Sequence, residues 1–179
     1  MKIVTVLSGG LDSTTLMHHL KHEKGTFNEI AAISFYYGQR HLREIEFAKI
    51  QAESIGAKWK LVDLSGLLAV FEESGSSLVN KDVEVPSGHY ASDTMKATVV
   101  PNRNMIMLSV ATAWAISINY DAVAYAAHAG DHTIYPDCRP EFAAHLSQAI
   151  KMCDWKKLRN SCRPPSIRRS FFLRLRAER

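Results

Sequence analysis

At 179 residues the chain is long enough for one well-cored domain and too short for two of ordinary size. Apolar residues make up 46% and charged residues 22%, the balance of a globular protein in water, and no apolar run nears the ~18 residues that a membrane span needs. The net charge of +4 hides an asymmetry: residues 1–150 hold 12 Lys+Arg against 16 Asp+Glu, and residues 151–179 hold 10 against 2, so the basic character belongs to the tail and does not make the domain a nucleic-acid binder.

The opening KIVTVL, residues 2–7, is a short β-branched apolar run that predicts a buried parallel strand. It runs into Gly-Gly with no small-residue cleavage site, so it does not read as a signal peptide, and the cytoplasm is the default location. A helix is expected over about 13–23, then a second strand from Ile30 to Phe35. Tyr36-Tyr37-Gly38 leads into a helix of about 39–55, in which Ile45, Ala48, Ala52 and Ile55 share one face. Trp59 to Leu64 reads as a third strand. From about 65 to 98 the pattern loosens into an irregular insertion with one short helix around Leu67–Phe71. A Met-, Leu-, Ile- and Ala-rich helix of about 103–118 belongs at the centre, followed by a strand from Asp121 to Ala126 and a helix from Glu141 to Met152. Alternating strands and helices predict an α/β fold, a parallel sheet with helices on both faces, which binds ligands beyond the carboxyl ends of its strands.

Leu7-Ser8-Gly9-Gly10-Leu11-Asp12-Ser13 bridges the first strand and helix. Glycines permit positive φ and close backbone approach to a polyanion, and the helix start adds unpaired amides and the positive end of its dipole. The hydroxyls of Ser8 and Ser13 can donate to phosphate oxygens. Asp12 would repel phosphate, so it suits a magnesium ion or a helix cap. The structural account is a tight turn capped by Asp12 or Ser13. No Gly-Lys-[Ser/Thr] follows, which excludes a Walker loop.

Three more motifs fall at strand ends or helix starts. Tyr37-Gly38-Gln39-Arg40-His41 follows the second strand and offers Tyr37 and Gln39 to a substrate and Arg40 and His41 to catalysis, His41 as a proton carrier near neutral pH. Val100-Pro101-Asn102-Arg103-Asn104 opens the central helix. Pro and Asn suit a helix entrance, but Arg103 opposes the dipole there and calls for an anionic partner. His128-Ala129-Gly130-Asp131-His132 and Tyr135-Pro136-Asp137-Cys138-Arg139 follow the fourth strand. They supply His128 and Tyr135 for substrate contact and Asp131, Asp137 and Arg139 for catalysis. Cys138 could be a nucleophile only with a base partner. The three cysteines, Cys138, Cys153 and Cys162, match no disulfide framework or zinc spacing and read as reduced and structural.

The string SGGLDS resembles the signature of the PP-loop ATP pyrophosphatase superfamily. Together SGGLDSTT, YGQRH, VPNRN and AGDHTIYPDCRPEF resemble the 7-cyano-7-deazaguanine synthase family from residue 2 to about 150. The resemblance implies an adenine-nucleotide α-hydrolase-like fold. It also implies an ATP- and magnesium-dependent ligase acting on 7-carboxy-7-deazaguanine and ammonia, first to an amide and then to a nitrile. It implies no membrane or direct nucleic-acid partner and admits a homodimer. The family also implies a structural zinc held by four cysteines. That set is absent from these 179 residues, so no metal-ligating residue is assigned.

The composition changes near the point where the resemblance ends. Residues 1–157 are therefore expected to form the ligase domain, and 158–179 a basic, disordered tail from a truncated or frame-shifted gene. Three other readings compete. A catalytically inactive remnant would still bind ATP. A tRNA thiolase needs a cysteine pair where only Cys138 stands. A nucleic-acid binder would act through the arginines of the tail, with Phe171 and Phe172 to stack on bases.

Overall fold

The computed structural model describes residues 1–23, 27–39, 42–72, 99–127, 135–153 and 171–174. In chain order the elements are β1 (Lys2–Val6), α1 (Leu11–His22), β2 (Glu29–Tyr36), α2 (Arg43–Ser54), β3 (Lys58–Asp63), α3 (Leu68–Glu72), α4 (Arg103–Ser117), β4 (Ala122–Tyr125), α5 (Pro140–Met152) and β5 (Phe171–Arg174). Single 3-10 turns at Ser65–Leu67 and Pro136–Cys138 precede α3 and α5.

The strands form one sheet in the order β3-β2-β1-β4-β5. The first four are parallel, with Ile3 aligned to Ile30 on one side and to Ala122 on the other. The interior strands β1, β2 and β4 are apolar nearly throughout because both of their faces are covered. Alternate residues go to opposite faces. Ile3, Ala32, Ala122 and Ala124 pack with Leu16, Met17 and Leu20 of α1 and Ala48 and Ala52 of α2. Val4, Ile33, Phe35 and Val123 pack with Leu108, Ala111 and Ala115 of α4 and Leu146 and Ile150 of α5. The expected arrangement of helices on both faces is the observed one.

One helix start and one strand depart most from expectation. The second helix begins at Arg43, not near residue 39, because Gly38 adopts φ +87° and the Gln39 side chain ties the chain back to the end of β2. In the tail, where no element was expected, Phe171–Arg174 pairs antiparallel with β4, from Ala122↔Arg174 to Tyr125↔Phe171. An apolar strand such as β4 would otherwise expose an unpaired edge, which a further strand relieves. Helix α4 ends at Ser117, and Asn119, two residues on, terminates it in a left-handed conformation at φ 60°.

The amino-terminal end of the sheet is closed by charge. Lys2 pairs with Glu29, and Tyr120 donates its hydroxyl to Glu29 at 2.8 Å. Those two contacts, Lys2 first, hold the Glu29 carboxyl below its ordinary range. Burial, then Glu29, pushes Tyr120 up to about 12. Among the described residues no helix is long and apolar enough to cross a membrane.

Candidate active site

Chain order runs outward from β1 through β2 to β3 on one side and jumps to β4 on the other. The crevice at the carboxyl ends of β1 and β4 is therefore the switch point at which such sheets bind ligands. The Ser8–Ser13 loop leaves β1 there, and the Tyr135–Arg139 segment lies beyond β4.

The loop is shaped by its own hydroxyls. Ser13 Oγ accepts the Ser8 amide at 3.2 Å and donates to the Gly10 carbonyl at 3.1 Å, while Ser8 Oγ lies 3.0 Å from it and accepts the Gly10 amide at 3.2 Å. Ser13 is buried. Its hydroxyl therefore builds the turn, where the sequence suggested a donor to phosphate or a helix cap. Gly10 occupies the cap position of α1 with no side-chain cap, so the capping account of Asp12 and Ser13 is replaced. By position, the amides at the start of α1 have no intrahelical acceptor.

The two glycines differ. Gly9 has φ +88°, and a Cβ there would collide with the Glu44 carbonyl oxygen in the first turn of α2. Its close approach is to protein backbone. Gly10 has an ordinary extended φ of −75°, and a Cβ would meet only Ser8 Oγ, at 3.4 Å. The space beside Gly10 is open, as a phosphate cradle requires. Leu7 faces the core, with its amide donating to the Ile33 carbonyl at 2.9 Å and its carbonyl accepting from Ser34, whereas Leu11 is 82% exposed beside the loop.

Across the crevice, three motifs converge. Tyr37, Leu67, Leu68 and Ile106 pack against Val100, which seats the entrance of α4 on the turn after β2. Asn102, at φ 58°, precedes α4 in a left-handed conformation and makes no side-chain cap. Its place as a capping residue is filled from elsewhere: Asp137 Oδ2 accepts the Asn104 amide at 3.2 Å. Arg103 donates to the Tyr37 hydroxyl at 3.4 Å. Burial works against its charge, but Tyr37, then Asp137 and Tyr135, outweigh burial and hold its proton more firmly than in a free arginine. Asp137 thus adds negative charge that favours charged Arg103, after Tyr37, without pairing to it directly. Asn104 also donates to Cys138 Sγ at 3.4 Å, and Tyr125 donates to the Asp137 carbonyl at 3.3 Å. Burial, then Cys138 and Asp137, raises Tyr125 well above the ordinary tyrosine range.

Of the residues expected at the site, Tyr37, Arg103 and Asp137 come together, with Tyr135 close enough to act on the Arg103 charge. Gln39 spends its amide on backbone, accepting from Tyr37 N–H at 2.8 Å and donating to the Phe35 carbonyl at 2.9 Å. Arg139 stands at the entrance of α5, ahead of Pro140. Arg40, His41, His128 and Asp131 lie outside the described residues. From the sequence Asn104 appeared only as the end of the motif that opens α4, its partners lying 33 and 34 residues along the chain, and Tyr125 was not singled out. Among the described residues no group of three or more His, Cys, Asp or Glu is placed to hold a metal ion. Cys138 is buried and Cys153 exposed, both as free thiols.

The chain matches the family model for the queuosine biosynthesis protein QueC over residues 2–164. It is 43% identical over 157 residues to 7-cyano-7-deazaguanine synthase 1 of Colwellia psychrerythraea, covering 88% of this chain and 69% of that protein. Against the 7-cyano-7-deazaguanine synthase of Methanoregula boonei it is 48% identical over 158 residues, covering 88% and 70%. The chain thus spans about two thirds of the length of these relatives. Among solved structures, a predicted subunit of tRNA methyltransferase from Methanocaldococcus jannaschii aligns with a TM-score of 0.50 at 16% identity, covering 83% of this chain and 63% of that one, a likeness of fold. The chain belongs to the QueC family of queuosine biosynthesis proteins.

Proposed function

We propose that this chain converts 7-carboxy-7-deazaguanine and ammonia to 7-cyano-7-deazaguanine at the expense of ATP. The observation that carries the reading is the glycine loop at the switch point, open beside Gly10, in a chain 42–48% identical to proteins named for that product. A carboxylate is a poor electrophile and an amide oxygen a poor leaving group, so both steps need oxygen activation. The carboxylate oxygen attacks the α-phosphorus and pyrophosphate leaves. Ammonia then adds to the acyl carbon, AMP departs, and a proton is lost, giving the amide. In a second round the amide oxygen is adenylylated, the C–O bond breaks with AMP leaving, and loss of the remaining N–H protons forms the nitrile.

Ser8, Gly9, Gly10, Leu11, Asp12 and Ser13 enclose the pyrophosphate end of ATP, chiefly through backbone amides. Asp12, exposed in the first turn of α1, suits a magnesium ion that would offset phosphate charge. Arg103, with Arg40 and Arg139, supplies positive charge across the crevice, and His41 and Asp131 carry protons. Tyr37, Tyr135, Asn102 and His128 contact the deazapurine. The deciding experiment incubates purified protein with ATP, magnesium, ammonium and 7-carboxy-7-deazaguanine. Mass spectrometry should find the nitrile and AMP. AMP release with no amide or nitrile would sink the substrate assignment.

A further inference from the structure

Ser34 is a buried polar residue within the apolar interior of strand β2, and no motif at the site includes it. Its hydroxyl donates to the Leu7 carbonyl at 2.6 Å, where the chain leaves β1 for the glycine loop. Its oxygen accepts the indole N–H of Trp59, on β3, at 2.9 Å. That indole contact occupies the oxygen and leaves the single Ser34 proton aimed at Leu7. The other face of the same peptide is also held, because the Ser8 amide donates to Ser13 Oγ at 3.2 Å. The peptide plane between Leu7 and Ser8 is therefore gripped at both ends by hydroxyls, one from the loop and one from the neighbouring strand. That plane sets the direction in which Ser8, Gly9 and Gly10 depart from the sheet.

We propose that Ser34 is a positioning residue for the phosphate loop, with Trp59 orienting its hydroxyl from a strand further out. The proposal rests on the reading that the loop holds ATP. Removing the Ser34 hydroxyl leaves a buried carbonyl without its donor and frees the peptide to rotate, so the loop meets phosphate in a mixture of orientations.

The test is calorimetric titration of the full chain with magnesium-ATP, beside its thermal midpoint. Ser34→Ala is expected to weaken ATP about tenfold, Trp59→Phe by a smaller factor of about three, and Ser34→Thr, which keeps the hydroxyl, to stay within about twofold of the parent. Leu20→Ala, in the core of α1, serves as the control that lowers the midpoint without loss of affinity. Unchanged affinity in Ser34→Ala overturns the proposal, as does an equal loss in Leu20→Ala. If Ser34→Ala does not fold, Trp59→Phe decides alone, and parental affinity there overturns it. A parent chain that binds no ATP removes the loop reading and this proposal together. Binding by the parent with no effect of the variants removes only this one.

Discussion

The phosphate loop and the Arg103 cluster lie at the ends of adjacent strands, β1 and β4, and are built in opposite ways. In the loop, side chains serve the backbone: Ser8 and Ser13 bond to each other and to loop amides and carbonyls. In the cluster, side chains reach across elements: Arg103 meets the Tyr37 hydroxyl, the Asp137 carboxylate receives the Asn104 backbone N–H, and the Asn104 side chain reaches Cys138. A backbone-made site is sensitive to where a Cβ fits. A side-chain-made site is sensitive to charge and to loss of a partner. Substitutions should separate the two regions on that basis.

The largest effect is expected at Gly9. Gly9→Ala forces a side chain into φ +88° and against the Glu44 carbonyl, a combined cost of about 2–6 kcal/mol that denaturant titration would register. Parental stability in that variant would mean that α2 can move away from the loop freely. Gly10→Val should do the reverse. Its Cβ has room in the protein but not beside a phosphate, so ATP affinity should fall by over a hundredfold, ~2.7 kcal/mol, while the thermal midpoint moves little. Unchanged affinity measured by calorimetry would remove the phosphate from this loop.

In the cluster the effect is smaller and depends on chemistry. Asp137→Ala strips the start of α4 of its distant acceptor and should cost ~1–3 kcal/mol. Asp137→Asn, which can still accept the Asn104 amide, should recover part of that stability without restoring turnover to the parental rate. If the two variants are equally stable, the contact to α4 contributes nothing.

The smallest effect lies at the far end of the sheet. The folded state keeps the Tyr120 proton that the unfolded chain gives up at its ordinary value of 10.0, because burial and Glu29 push Tyr120 up to about 12. The stabilisation is complete below pH 10 and is lost as pH rises toward 12. Thermal midpoints across that window should fall less steeply in Tyr120→Phe, and parallel curves would remove the assignment.

How much of this was legible in the sequence follows from how each region is made. The loop could be read because its residues are consecutive and its glycine spacing states a backbone requirement. Which glycine does which task could not, since the Glu44 carbonyl that excludes a Cβ from Gly9 belongs to a helix some thirty-five residues further on. The alternation of strands and helices came through clearly because β1, β2 and β4 are apolar on both faces. The cluster was visible only as motifs. Asp137 could be recognised as a charged residue near a strand end, but not as the cap of a helix that starts at Arg103. Ser34 did carry a signal, a serine inside the apolar run of EIAAISFY, since a buried polar group requires a partner. The short β5 was hidden because four residues in an arginine-rich segment carry too little period to announce a strand.

The position of β1 also governs when the sheet can be completed during synthesis. Its partner on one side, β2, follows within thirty residues, but on the other side Ile3 must wait for Ala122. A ribosome adding ~5–20 residues per second needs roughly 6–24 s to supply that partner. For that interval the strand that launches the phosphate loop has one unpaired edge, and the half-sheet of β1, β2 and β3 is open to pairing with other nascent chains. A nascent chain that stalls before β4 emerges would hold the loop's residues without the strand that defines the crevice.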